Sequence, residues 1–352
     1  MIRLFCACLL ALVVGLLMTR VAKIVALKLG VVDKPDARKV HKGLMPRMGG
    51  LGIYSGFMAG AVFYVCSHPN LLFTGDVLGL LLATTIVFVT GVVDDIRSIR
   101  PTTKLLGQLV AALVFVGCGG YVKFLSNPFG GDIIFLDYMG IPVTVIWLVG
   151  ISNAVNLIDG LDGLAAGVSI ISACTMAVVS LSHGYYMPAA LLFVLAASTL
   201  GFLRYNFSPA SIFMGDSGSL TLGFVLGAIA IMGFAKGATI VALVIPVLIL
   251  AIPIFDTFFA IVRRLIEHKP VFQPDKGHLH HRLLAMGLSH KQTVLIIYAI
   301  TMFMGCIAIL TALLPPWMTV LLVAAALLIL FAGAHHLGIL RIGGADKTAE
   351  NK

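Results

Sequence analysis

The chain has 352 residues, 60% hydrophobic and 11% charged, with a formal net charge of +9. A soluble domain is typically about a quarter charged, so this balance excludes an ordinary water-soluble enzyme and points to a membrane protein. The basic residues lie between apolar runs, where the cytoplasmic leaflet accounts for them, so no nucleic-acid partner is expected.

Apolar runs of spanning length fall at roughly 2–22, 49–67, 77–93, 104–120, 141–157, 163–182, 186–203, 218–234, 238–262, 291–313 and 316–337. A span needs about 20 residues. The expectation is an all-α polytopic membrane protein of about 10–11 transmembrane helices. It would form one integral membrane domain over 1–340, with a disordered cytoplasmic tail over 341–352. The run Leu4–Met18 lacks an obvious small-residue cleavage site and is followed by more spans, so it reads as a retained first helix and not a signal peptide. Over 121–137, β-prone residues flank Asn127, Pro128, Phe129, Gly130 and Gly131, which predicts a small extracytoplasmic hairpin or a re-entrant loop. The six cysteines all lie in apolar stretches without a CxxC pair, so neither a zinc site nor a disulfide framework is indicated.

With the N-terminus outside, the loops after alternate spans collect 21 of the 24 Lys and Arg, leaving Arg3, Lys123 and Lys236 for the other side. The positive-inside rule then makes that loop-rich face and the C-terminus cytoplasmic, in a plasma (inner) membrane.

The same parity gathers the polar motifs on that face. They are Asp94 and Asp95 after the third run, and Asn156, Asp159, Gly160, Asp162 and Gly163 after the fifth. Asn206 and the stretch from Phe213 through Gly215, Asp216, Ser217, Gly218 and Ser219 follow the seventh, and Arg263, Arg264, His278, His280, His281 and Arg282 follow the ninth. An ionised Asp near a helix end in a membrane costs a few kcal/mol unless paired, metal-bound or wet. Adjacent Asp94 and Asp95 raise each other's pKa unless a cation neutralises them, and Asp159 and Asp162 would share a helix face. Five carboxylates without matching basic residues in their own segments suggest a hard divalent cation such as Mg²⁺, a usual bridge to substrate phosphates. Caps and solvated loop positions are the alternative for any one of them.

The Gly215–Ser219 turn enters an apolar run, where free N–H groups form an anion site; the same turn also serves as an ordinary cap. Phe213 could stack on a base or anchor at the membrane interface. The three histidines are too closely spaced for a helical zinc pair. With Arg263, Arg264, Lys269, Lys276 and Arg282 they form a cationic loop suited to a diphosphate or to anionic lipid. Lys39, His41, Lys42 and Arg47 form a second basic loop. Asp256 is set deeper, with Arg263 and Arg264 within reach if the helix continues.

In this order, these motifs resemble the polyprenyl-phosphate N-acetylhexosamine-1-phosphate transferase family. The resemblance covers roughly residues 30 to 285 and includes Arg38, Lys39 and His41 through Pro46, Arg47, Gly49 and Gly50. It implies a helical membrane fold with a cytoplasmic site. It also implies transfer of a sugar 1-phosphate from a UDP-sugar to a polyprenyl phosphate, releasing UMP, with Mg²⁺ or in its place Mn²⁺. The His278-Leu279-His280-His281 pattern, lacking three consecutive histidines, looks like the branch that uses UDP-GlcNAc with undecaprenyl phosphate. That branch initiates surface glycans such as teichoic acid or O-antigen, whereas the peptidoglycan branch uses UDP-MurNAc-pentapeptide.

By that resemblance Asp94, Asp95, Asp159 and Asp162 are the candidate catalytic residues. Asp216, Asp94, Asp95 and Asn156 are the candidate metal ligands. Lys42, Arg47, Asn156, Asn206, Phe213, Arg263, Arg264, His278, His280 and His281 are the candidate substrate-binding set. A homodimer is compatible with the same resemblance. Direct attack by the lipid phosphate on the β-phosphorus is favoured, and a two-step route through an aspartyl-phosphate stays open. A CDP-alcohol phosphotransferase is disfavoured because Asp162, Gly163, Leu164 and Ala165 lack the expected Ala-Arg. A secondary transporter would hold its charges near the midplane.

Overall fold

The computed structural model describes residues 1–33, 44–68, 74–125, 134–234, 241–266, 268 and 277–336. Lys42 and the tail 341–352 lie outside the described residues.

The first run becomes helix α1 (Ile2–Leu29), stopped by Gly30 in the left-handed conformation with φ 69°. Ala7, Ala11, Gly15, Thr19, Ala22 and Ala26 are its buried stripe. Facing it, α2 (Gly50–Cys66) presents Gly52, Gly56 and Gly60. A Cβ on Gly56 would lie 2.6 Å from the Ala11 carbonyl oxygen, so the two backbones touch. In lipid, where apolar side chains gain little by leaving their neighbours, such small-residue contacts drive helix association. The outer face of α1, with Leu9, Val13, Leu17 and Ile24, stays exposed, as a lipid-facing surface would be.

Between α1 and α2, strands β1 (Val32–Asp33) and β2 (Met45–Pro46) pair antiparallel. Then come α3 (Gly75–Arg97) and α4 (Pro101–Gly117), the latter opened by proline at its first position, where no amide is needed. The expected hairpin is present as β3 (Phe124–Leu125) paired antiparallel with β4 (Ile134–Phe135), its tip outside the described residues. A short 3₁₀ turn leads into α5 (Gly140–Ile158). Next are α6 (Leu164–Ser182), α7 (Tyr186–Asn206) and α8 (Gly215–Phe234). α8 is almost wholly enclosed by protein and forms the axis of the bundle, packed against α3 and α5.

The run expected at 238–262 is divided at Leu250 into α9 (Val241–Ile249) and α10 (Ala251–Ile266). Pro253 has no amide for the Ile249 carbonyl, and the Ser172 hydroxyl donates to that oxygen instead, at 3.2 Å. α11 (Leu279–Ala285) is a short helix leading to α12 (His290–Thr311), which opens with a reciprocal Ser289–Gln292 capping box, and α13 (Pro316–His336) ends the described chain. Among the described residues, seven helices are long and apolar enough to cross a bilayer: α1, α3, α5, α6, α7, α8 and α12. Helices α2, α4 and α13 contain shorter apolar stretches. The protein is an all-α, multi-pass membrane protein.

Candidate functional site

The site forms where the polar ends of these helices meet, and it begins with the first turn of α8. Asp95, at the end of α3, accepts hydrogen bonds from the Asp216 amide (2.8 Å), the Ser217 amide (3.1 Å) and the Ser217 hydroxyl (2.6 Å). One carboxylate thus satisfies amides that a helix N-terminus leaves without partners. Glycine lets the backbones close around it: a Cβ on Gly91 would lie 2.4 Å from Ser217 Cα, and one on Gly50 would lie 2.2 Å from the Gly218 nitrogen. The segment before α2 is annealed to the same turn, through Phe213 N–H to the Pro46 carbonyl (2.8 Å) and Gly49 N–H to the Phe213 carbonyl (3.0 Å). Arg47 therefore stands at the site, 3.9 Å from Asp95.

Asp94 faces another way. Its Oδ1 accepts from the Ile99 amide at 3.0 Å, closing the turn into α4. The Lys104 ammonium on α4 lies 3.1 Å from its Oδ2 and also pairs with Asp216. The Asn156 amide bonds to Ser219 Oγ at 2.8 Å and supports the Asp216 carboxylate. Among the described residues, no three His, Cys, Asp or Glu side chains converge in a metal-holding arrangement. Asp94 and Asp216 are hard oxygen ligands around a position where a cationic group already bridges two carboxylates, with the Asn156 amide donating to Asp216 beside them. That donor chemistry fits Mg²⁺.

The loop after α5 forms the floor. Asp162 accepts from the Ala210 amide at 2.9 Å, and Asn206 bridges the Gly163 amide and the Ile212 carbonyl, each at 3.0 Å. Asn206 is thus a buried clasp between two loops. Asp159 caps α5, and its carboxyl is pushed up to about 7, first by burial and then by the charges of Asp216 and Asp95.

The opposite wall is α11. The His280 ring lies on Gly160, where a Cβ would be 2.5 Å from Nε2, and its imidazole is lowered to about 4 by burial and the neighbouring His281 charge. His278 and His280 stack with ring centres 5.8 Å apart and planes 3° apart, while His281 is exposed. Asp256 on α10 bonds to His278 Nδ1 at 2.9 Å and accepts the Leu279 amide at 2.8 Å. Arg263 is buried against Gly277, and Arg264 follows it on the last turn of α10.

Residues 77–234 match the family described as Glycosyl transferase family 4. The chain is 43% identical to a probable undecaprenyl-phosphate N-acetylglucosaminyl 1-phosphate transferase of Bacillus subtilis, over 92% of this chain and 89% of that protein. It belongs to the polyprenyl-phosphate N-acetylglucosamine-1-phosphate transferase family. A decaprenyl-phosphate N-acetylglucosaminephosphotransferase of Mycobacterium tuberculosis is 40% identical, over 78% of this chain and 74% of its own length. An undecaprenyl-phosphate alpha-N-acetylglucosaminyl 1-phosphate transferase of Escherichia coli K12 is 30% identical, over 86% and 83%.

Within this family member, the structure gathers Arg47, Asp94, Asp95, Asn156, Asp159, Asp162, Phe213 and Asp216 at one end of the bundle, facing the histidines across Gly160. Two participants escaped the sequence reading. Lys104 was visible as a lysine in the first turn of an apolar run. Gln108, one turn further along α4, exchanges amide hydrogen bonds with Asn153 at 2.7 and 3.4 Å, three residues before Asn156. That pair ties α4 to α5 beneath the site.

Proposed function

We propose that this family member transfers N-acetylglucosamine 1-phosphate from UDP-GlcNAc to a polyprenyl phosphate, giving the lipid-linked diphospho-sugar and UMP. The observation that carries the proposal is the cluster of Asp94, Asp216, Lys104 and Asp159 at helix ends. There a water-borne donor and a lipid-borne phosphate can reach the same carboxylates. In the reaction, an oxygen of the lipid phosphate attacks the β-phosphorus, a new P–O bond forms there, and the bond from β-phosphorus to the bridging oxygen breaks as UMP departs.

Both reactants are anions, so charge management is the main demand on the protein. Lys104, Arg47 and, on α10, Arg263 and Arg264 supply positive charge, and His278 and His281 supply hydrogen bonds to the donor. Mg²⁺, held by Asp94 and Asp216 beside Asn156, would neutralise the diphosphate. Asp159 is suited to accept the proton of the lipid phosphate, whose second ionisation lies near 6 for ordinary phosphate esters, roughly matching its own value of about 7. Asp162, with one oxygen engaged by Ala210, steadies that loop, and Asp95 holds the α8 turn in place.

The basic bias of the loops supports a site facing the cytoplasm, with the N-terminus outside and the β3–β4 hairpin on the far side of a plasma membrane. The test is release of UMP from UDP-GlcNAc by purified protein with polyprenyl phosphate and Mg²⁺. UDP-GalNAc and UDP-MurNAc-pentapeptide serve as competitors. Absence of UMP in suitable lipid would sink the proposal, and preference for the pentapeptide donor would reassign the substrate.

A further inference from the structure

Asp256 and Arg263 lie seven residues apart on α10, close to two helical turns, so they share one face. Both are buried, at 6% and 8% exposure. That face clasps the three residues that lead into α11, Gly277, His278 and Leu279. The Arg263 guanidinium abuts Gly277, where a Cβ would lie 2.2 Å from Cζ, and the Asp256 carboxylate holds His278 and the Leu279 amide together. One carboxylate therefore sets both the direction of the helix and the orientation of an imidazole.

The geometry points to Asp256 as a positioning residue for the transfer reaction. It keeps a proton on His278 Nδ1 and aims His278 Nε2 at the donor, a role that rests on the function proposed above. An ionised carboxylate only accepts, so a 2.9 Å contact with Nδ1 places the proton on that nitrogen and leaves Nε2 as the nitrogen turned away from Asp256. The effect does not end at His278. Its ring stacks on His280, and His280 rests on Gly160 between Asp159 and Asp162. The stack thus runs from a membrane helix to the loop that carries the acceptor-side carboxylates. Asp256 touches neither substrate in this arrangement; it acts through His278.

A double-mutant cycle tests this with the full-length protein, UDP-GlcNAc and polyprenyl phosphate, using Asp256→Asn, His278→Gln and the double variant. Asp256→Asn retains the shape but presents an amide that cannot accept from both Nδ1 and the Leu279 amide. It should lower kcat/KM for the donor by roughly 10²-fold, in the range of losing one general acid–base contribution, while the KM for the lipid phosphate stays within twofold. The double variant should then be no worse than His278→Gln alone. Losses that multiply, or that fall equally on donor and acceptor along with thermal stability, would overturn the assignment.

Should a variant fail to fold, ¹⁵N spectra of histidine-labelled unsubstituted protein still decide. A protonated His278 Nδ1 supports the inference, and a proton on Nε2 alone refutes it. Wild-type turnover in the same assay separates the two readings. If the unsubstituted protein releases no UMP, the function itself fails; if it does and the cycle is additive, only the role of Asp256 fails.

Discussion

The two walls of the site are built on different principles. The carboxylate wall is made by backbones in contact: Gly50 and Gly91 press on the first turn of α8, and Asp95 accepts two of its amides. The histidine wall is a seven-residue helix set by side chains, with Asp256 at its start and the His280 ring resting on Gly160. A wall made of backbone fails as a unit, by loss of fold. A wall held by side chains can shift by a fraction of an ångström and lose function first. The contrast suits an enzyme that must hold charges rigidly on one side and admit a bulky donor on the other.

Substitutions can break or sharpen this contrast. The largest effect should come from Asp216→Asn, which removes a charge at the centre of the cluster but leaves the Asp216 amide on Asp95. UMP release should fall about 10³-fold, as when a major electrostatic contact to the transferring group is lost, with thermal unfolding nearly unchanged. A loss under tenfold would remove Asp216 from the reaction.

Gly91→Ala should instead destabilise the fold. Its Cβ would meet Ser217 backbone, which cannot retreat, so overpacking should cost about 1–3 kcal/mol in a denaturation assay. Asp95→Asn should act similarly, at roughly 1–3 kcal/mol, because an amide cannot accept all three hydrogen bonds that Asp95 now receives. If either variant is as stable as wild type yet inactive, that residue serves the reaction and not the fold.

On the other wall, Gly160→Ala meets the His280 ring, which can tilt. A roughly tenfold rise in donor KM is expected, with melting little changed, since a displacement of this kind misplaces a contact without opening a core.

The last effect is on pH. The Asp159 carboxyl rises from its ordinary 3.8 to about 7 in the fold, so the folded protein keeps a proton that the unfolded chain gives up. This group's contribution to stability is fullest below pH about 4 and is lost as pH rises towards 7. In chelator-treated protein the melting temperature should decline across that window, and Asp159→Asn should remove the decline attributable to this group.

The helical membrane architecture was legible because apolar length and polar helix ends are local properties. Asp94, Asn156, Asp159 and Asp216 could be grouped because each sits at one end of an apolar run. Lys104 could not be joined to Asp216 the same way, since 112 residues separate them and nothing local reports the contact. For Asp256, sequence spacing offered Arg263 and Arg264. The structure gives it His278, 22 residues away, because the chain folds back after α10. The break at Leu250 was written in Pro246 and Pro253, yet hydropathy alone runs through it. The role of Asn206 as a clasp needed two loops to be seen together.

The enclosure of α8 bears on how such a protein is made. Its first two turns carry Asp216, Ser217, Ser219 and Thr221, a costly set to place in lipid unpaired. Asp95 and Asn156, which receive that turn, emerge earlier in the chain on α3 and α5. The side chains that receive the eighth helix are therefore synthesised before it, and the carboxylate wall is complete only once that helix is in place. A fragment ending before Gly215 would hold α1 to α7 and lack both the α8 turn and the histidine wall.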